Sequence, residues 1–414
     1  MLTGLYPQNT GSPSNNEPLL DSVETFAEVL HQKGYATGYA GKWHLDGPAK
    51  PGWAPERKFG FEDNRYMFNR GHWKKLDIGN HGPFVAARDA KGRPTYGLAG
   101  ADEKTFTTDF LADRTIEFIK KNKDQPFCYM VSIPDPHGPN TVRPPYDTMF
   151  DPAPFRQPLS ALAKGKNLPS FATVVQAKFN AQQMANYFGM VKCIDDNIGR
   201  IRETLKYLGI YQDTIIVFTS DHGDMCGELG RHNKGIPCEG SARIPFILTA
   251  PGIVPCGTVL HEAMGTVDFK PTLLHLLETP AKQKSQGRDL SQLFRKAKAP
   301  KEHKDVAFVR IGTKWFGAFT GHYKLVVSKT DPPALYDLME DPNEVSNAFH
   351  QPEHRDLVRQ LAKELKHYAE TYGESQYEDA VVQSDIAWMI SDSNQYKSPE
   401  RPKPTNKKKK GRKK

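Results

Sequence analysis

Three times along the chain an amphipathic stretch gives way to a short, unbroken apolar run. Val23, Phe26, Ala27 and Leu30 fall on one face between Asp21 and Gly34, with Asp21 and Glu24 as a capping pair and Gly34 as a stop. That spacing predicts a helix over 21–34, followed by an extended segment over Tyr35–Ala40. The same succession recurs when Phe106–Asn122 leads into Phe127–Ile133, and again when Gln176–Leu208 leads into Thr214–Thr219. Helices alternating with continuously apolar strands predict a parallel sheet covered on both faces. Beyond a helix at 268–278 the pattern changes. Val306–Arg310, Trp315–Thr320, Tyr323–Val327 and Leu335–Leu338 follow one another without helices between them and predict a small antiparallel sheet. An amphipathic helix over Glu353–Tyr372 comes after it. The expected class is α/β, a mixed and mostly parallel sheet flanked by helices, with a small C-terminal antiparallel sheet plus helix. The expected divisions are a core over 1–295, an α+β subdomain over 296–385 and a basic, disordered tail over 386–414.

A chain of 414 residues, 38% of them hydrophobic, can bury a sizeable core. Its 32 prolines and 33 glycines point to long ordered loops, where enzymes commonly carry their sites. The net charge of +8 suggests nucleic acid until it is divided along the sequence. Ten Lys or Arg against one acid, Glu400, lie between Lys397 and Lys414, so the rest is within one charge of neutral. The expectation is therefore a solvated tail and no specific nucleic-acid partner, with adhesion to polyanions or a membrane surface as the lesser alternative. Five cysteines, Cys128, Cys193, Cys226, Cys238 and Cys256, are too sparse and irregular for a disulfide framework or a zinc knuckle. No stretch approaches 18 apolar residues, and no signal peptide is visible.

The candidate chemistry lies in the segments just after the predicted strands, since ligand sites of open α/β sheets lie beyond the carboxyl ends of the strands. The first strand runs into GKWHLDG (41–47), the second into PDPHGP (134–139) and the third into SDHGD (220–224). A period of two puts Lys42 and His44 on one side and Trp43 on the other, so that an ammonium and an imidazole can face one small anion. A buried Trp with solvated neighbours is the plainer alternative. Asp221 and His222 stand where a buried strand stops, with Gly223 allowing a sharp turn. They suit a hard metal ion, or else Asp221 simply caps the turn. Downstream, Lys234 could neutralise charge developing on a sulfuryl or phosphoryl oxygen, with His232 beside it, or RHNK could be an ordinary surface patch. His137 lies in a proline-rich loop that would form equally well without a function. Trp53, Tyr66, Phe68 and Trp73 could stack on sugars or pack inside a folded insertion.

Together these segments resemble the type I sulfatases of the alkaline phosphatase superfamily. The resemblance rests on LTGLYPQNTG (2–11), GYATGYAGKWHLDG, PDPHGP, TSDHGD, GRHNKGIPCEGSARIPFI, VDFKPTLL (267–274) and LYDLMEDPNEVSN (335–347), in that order. It implies hydrolysis of a sulfate ester by a formylglycine beside one calcium ion. Asp221 and His222 would be metal ligands; Lys42, His44 and His137 would be catalytic, with His137 the proton donor to the leaving alcohol. Lys234 and His232 would lie on the substrate side. The implied substrate is a sulfated small molecule or glycan, and the implied location is periplasmic or secreted.

The resemblance has a gap. In that family LTG-x-YP stands shortly after a C/S-x-P-x-R signature, and none of the five cysteines here is followed by x-P-x-R. The expectation is that these 414 residues lack the formylglycine, a first strand and two further calcium ligands and are inactive as they stand, either because the true start lies upstream of Met1 and the native protein is complete, which is the favoured explanation, or because a truncated, inactive form is real. The alternatives are a phosphodiesterase or phosphonate hydrolase of the same superfamily, or a non-catalytic module that binds sulfated sugars.

Overall fold

The computed structural model describes residues 1–165, 167–175 and 178–402. In chain order, α1 (Phe26–Gln32) feeds β1 (Ala36–Lys42), followed by β2 (Asp63–Phe68) and a hairpin of β3 (Leu76–Gly79) and β4 (Gly82–Val85). Next come α2 (Thr107–Asn122), β5 (Phe127–Ser132), the single turn α3 (Leu159–Leu162) and the long α4 (Ala181–Tyr207). β6 (Ile216–Thr219), the short α5 (Glu239–Ala242) and β7 (Phe246–Thr249) precede α6 (Phe269–Leu276) and α7 (Ser291–Lys296). The C-terminal part holds β8 (Ala307–Ile311), β9 (Trp315–Phe319), β10 (Tyr323–Val327), β11 (Ala334–Asp337), α8 (Arg355–Tyr372) and α9 (Ala380–Ile390).

β1 is the centre of a parallel three-stranded sheet, β2-β1-β5, whose register ends Lys42 opposite Phe68 and Gly41 opposite Ser132. The loops after all three strands therefore leave from one edge. Gly41 makes this closeness possible: it has φ +100°, and a Cβ there would stand 2.0 Å from the carbonyl oxygen of Ser132. β6 pairs antiparallel with β7 in a separate two-stranded sheet, so among the described residues parallel and antiparallel pairings occur in different sheets. Trp43 turns away from that edge and packs with Tyr39, Phe59 and Phe61 against α1, as the period of two predicts. The four-stranded antiparallel sheet β11-β10-β9-β8 packs on α8, whose buried Val358, Leu361, Ala362, Leu365 and Ala369 form one stripe. Tyr6 and Val267 join this same cluster, tying it to the N-terminal part.

Several expectations shift in detail. The first helix starts at Phe26, not Asp21, because Thr25 and Glu28 form the capping box: the Thr25 hydroxyl accepts from the Glu28 amide at 3.1 Å, and the Glu28 carboxylate accepts from the Thr25 amide at 2.7 Å. Glu24 instead takes the buried Lys270 ammonium at 3.0 Å. The helix expected from 176 begins at Ala181 behind an Asn180 cap, and residues 176 and 177 lie outside the described residues. The division at 386 falls inside α9. Beyond that helix Arg401 still binds the Asp385 carboxylate at 2.6 and 2.8 Å, while most of the basic run, 403–414, lies outside the described residues. Phe68 and Trp73 are buried in the core between β2, the hairpin and α2, which removes them as sugar platforms.

Candidate functional site

Four loops meet at the carboxyl edge of β1, β2 and β5. The chain turns abruptly after Lys42: His44 has φ +65°, an uncommon value for a residue with a side chain, and is held by its amide donating to the Asn69 carbonyl at 2.6 Å. The buried Asn69 amide group donates to the carbonyls of Gly47 and Ala49 at 2.8 and 3.1 Å, locking the loop after β1 to the loop after β2. Just beyond, His72 enters the site. It lies in a loop that no sequence motif marked.

The centre is a pair of imidazoles between two ammonium groups. The rings of His72 and His137 stack with centroids 3.5 Å apart and planes 6° from parallel. Lys42 Nζ lies 3.1 Å from Nε2 of His72, and Lys234 Nζ lies 3.2 Å from Nε2 of His137. An ammonium only donates, so both Nε2 atoms act as acceptors and carry no proton. For His137 this agrees with its other nitrogen, Nδ1, which lies 2.9 Å from the Gly138 carbonyl and donates to it. His222 stands edge-on to His137 at 6.5 Å and likewise gives Nδ1 to a carbonyl, that of Gly223, at 2.8 Å. His44 Nε2 is buried and has no hydrogen-bond partner among the described residues, an orphan facing the same region.

Burial and nearby positive charge favour the neutral form of His44, His72 and His137. Burial first, then Lys42 and Arg70, bring His44 down to about 4, and burial with Lys42 and His137 brings His72 down to about 2. His137 is lowered by burial and by the two lysines, against its carbonyl bond. Lys42 is itself lowered, chiefly by burial, with Asp221 opposing. The arrangement thus offers two ammonium groups and the neutral imidazoles of His44, His72 and His137 to a small anion.

Deeper contacts fix these loops. Lys74 and Asp135, whose side chains are 0% and 1% exposed, form an ion pair beneath the PDPHGP loop. Thr108 donates to the second Asp135 oxygen at 2.9 Å, and Lys74 Nζ reaches the His137 carbonyl at 3.5 Å. The loop carrying Lys234 is tied to SDHGD by Asp224, which accepts from the Asn233 amide at 2.9 Å. The C-terminal sheet props it from behind: the Trp315 indole donates to the Gly235 carbonyl at 3.2 Å, and Lys324 donates to the Pro237 carbonyl at 3.1 Å. Gly223 is needed for close approach rather than for a sharp turn, since a Cβ there would lie 2.2 Å from the Gly240 carbonyl oxygen. His232 is exposed and lines a cavity of about 240 Å³ with Arg231, Lys234, Val175, Met225 and Ile236. A larger concavity of about 540 Å³ opens at the opposite edge of the sheet, by Ala36, Glu62 and Asp63, away from these groups.

A family model for sulfatases matches residues 1–279, more than half of the chain. The chain belongs to the sulfatase family. A second model, N-sulphoglucosamine sulphohydrolase, C-terminal, matches residues 227–371 of this sulfatase. Its sequence is 28% identical over 386 residues to an ulvan-active sulfatase of Formosa agariphila, covering 88% of this chain and 69% of that protein. It is 25% identical over 457 residues to an N-acetylglucosamine-6-O-sulfatase of Bacteroides thetaiotaomicron, covering 90% and 77%. A solved structure in complex with its substrate D-glucosamine-2-N,6-O-disulfate shares the fold, with TM-score 0.74 at 21% identity over 92% of this chain and 88% of that one. The fold is thus that of the alkaline phosphatase superfamily.

Sulfatases in general use a formylglycine and a calcium ion, and the site of this sulfatase accommodates these two unequally. The orphaned His44 nitrogen and the paired ammonium groups fit an anionic or polar group between them. For calcium, Asp221 and His222 are adjacent, with His222 Nε2 3.3 Å from the Asp221 carboxylate, and they stand alone: among the described residues no three His, Cys, Asp or Glu side chains cluster as a metal site. Two ligands fall short of the six to eight oxygens calcium takes, so these residues by themselves do not make a calcium site. None of the five thiols hydrogen-bonds Lys42, His44, His72, His137 or Lys234 among the described residues. Burial raises Cys128 and Cys226 to about 12 and pushes Cys193 and Cys238 up as well, so these four stay protonated.

Proposed function

We propose that this site binds the sulfate group of a sulfated carbohydrate and supports hydrolysis of that ester. Lys42 and Lys234 balance the sulfuryl oxygens, where negative charge resides in the substrate and shifts during S–O cleavage. His137 is the proton donor to the leaving alcohol: an incoming sulfate draws the Lys234 ammonium off its Nε2, and that nitrogen, now facing the negative sulfuryl oxygens, takes a proton from solvent and passes it to the ester oxygen as the S–O bond breaks. His44, whose Nε2 is unpaired, accepts a proton from a water that forms the new S–O bond as the ester S–O bond breaks, with Asp221 and His222 beside that edge. Lys234 is shared between this centre and the adjoining cavity lined by His232 and Arg231, which suits the sugar next to the scissile bond. The observation that carries the reading is the pair of ammonium groups held on stacked, neutral imidazoles at the sheet edge. The family's resemblance adds action outside the cytoplasm. Among the described residues no helix is long and apolar enough to cross a membrane.

A second reading, a protein that binds sulfated sugars without cleaving them, is favoured by the absence of any thiol at the centre among the described residues. Incubation with a sulfated oligosaccharide and ion chromatography of released sulfate decides between them. Sulfate release that Lys234→Ala abolishes supports hydrolysis; tight binding with no release supports the second reading.

A further inference from the structure

We propose that His72 is a positioning residue of the sulfate site, the acceptor that aims the Lys42 ammonium. The proposal deepens the sulfate-binding reading and rests on it. Lys42 leaves the end of β1 on a flexible stem, and an ammonium with no partner would sample several rotamers at an entropic cost to any ligand that must collect it. Among the described residues no carboxylate pairs with it; its partner is His72 Nε2 at 3.1 Å. The choice of acceptor matters. A carboxylate at that distance would orient the lysine and cancel its charge, whereas a neutral imidazole orients it and leaves the charge, with two N–H groups free for ligand oxygens.

The ring is itself well fixed. Its plane is set by the stack on His137 at 3.5 Å and by Tyr96 at 6.0 Å. Its backbone is bracketed by Gly71, where a Cβ would meet the Trp73 ring at 2.3 Å, and by the Trp73 indole, which donates to the Arg70 carbonyl at 3.0 Å. Lys234 on His137 repeats the same ammonium-on-imidazole unit at 3.2 Å, but His137 also stands where a proton donor is needed. His72 has no such duty, so its effect on ligands passes through Lys42.

Two replacements separate orientation from packing. His72→Gln keeps an acceptor and loses the aromatic stack, and His72→Phe keeps the stack and loses the acceptor. Affinity of the full chain for inorganic sulfate is measured by calorimetry, alongside thermal melting and long-range ¹H–¹⁵N spectra of the imidazoles. The expected result is affinity within about threefold of wild type for His72→Gln and a loss of about tenfold or more for His72→Phe. Equal affinity in both variants, or the reverse order, overturns the proposal. If the wild-type chain binds no sulfate, the sulfate reading fails and the spectra decide on His72 alone. An unprotonated Nε2 whose shift moves in Lys42→Met supports the contact; a protonated or unmoved Nε2 overturns it.

Discussion

The imidazole of His72 lies flat on that of His137, 3.5 Å between centroids and 6° from parallel, with a lysine ammonium at the outer nitrogen of each ring. A proton added to either ring meets two cations and a second imidazole. The folded protein therefore resists protonation of a region that the unfolded chain protonates freely.

Stability should accordingly fall on acidification. The ordinary imidazole pKa near 6.5 drops to about 4 for His44 and about 2 for His72 in the folded protein. Between about 6.5 and those values the unfolded chain binds more protons, so their contribution is complete above 6.5 and is lost as pH falls. Urea midpoints measured from pH 7 to 4.5 should decline, and His72→Phe should make the decline shallower. An unchanged slope in that variant would contradict the assignment of His72 as a neutral group.

At the alkaline end the relevant group is Lys42, lowered chiefly by burial. It should lose its charge at a pH below the ordinary lysine value, and affinity for a sulfated ligand should fall with it. Lys42→Arg, whose guanidinium stays charged, should move this loss to higher pH. The same alkaline midpoint in both proteins would show that another group controls it.

Lys74 and Asp135 form the buried pair under the His137 loop. Removing one partner leaves an uncompensated buried charge, so Asp135→Ala should cost about 3–5 kcal/mol of stability. Joint replacement by Lys74→Met and Asp135→Leu should recover most of that loss. Denaturant unfolding of the three proteins checks both statements; a double variant no more stable than the single one would contradict them.

With Asp221 and His222 as the only adjacent ligands among the described residues, calcium should bind weakly. For a dissociation constant of about 10 mM, roughly 1 mM calcium adds about 0.06 kcal/mol, too little for a clear shift in melting. A rise of several degrees at that concentration would show a site that these residues alone do not make.

Much of this was legible in the chain because it depends on local pattern. The apolar runs at 127–132 and 216–219 stand out as strands, and the residues after them, His137 and Asp221–His222, fall where strand ends place them. Trp43 against Lys42 follows from the period of two. β2 was not legible: DNRYMF mixes charged and apolar positions without alternation, since one face covers α2 and its start is at the open edge. Missing β2 hid the loop after it, and with it His72, Lys74 and Asn69. The partner of Lys42 is 30 residues away and that of Lys74 is 61, separations fixed only by the sheet register.

The most direct test of the central claim is calorimetric titration of the wild-type chain and Lys234→Ala with a sulfated oligosaccharide and its desulfated counterpart. Losing a charged hydrogen bond of about 1.5–3 kcal/mol should weaken binding of the sulfated ligand roughly ten- to a hundredfold in Lys234→Ala. The desulfated ligand should bind both proteins weakly and alike, and melting should be unchanged because Lys234 is exposed. Equal affinity of the wild-type chain for the two ligands, or an undiminished affinity in Lys234→Ala, would contradict the account.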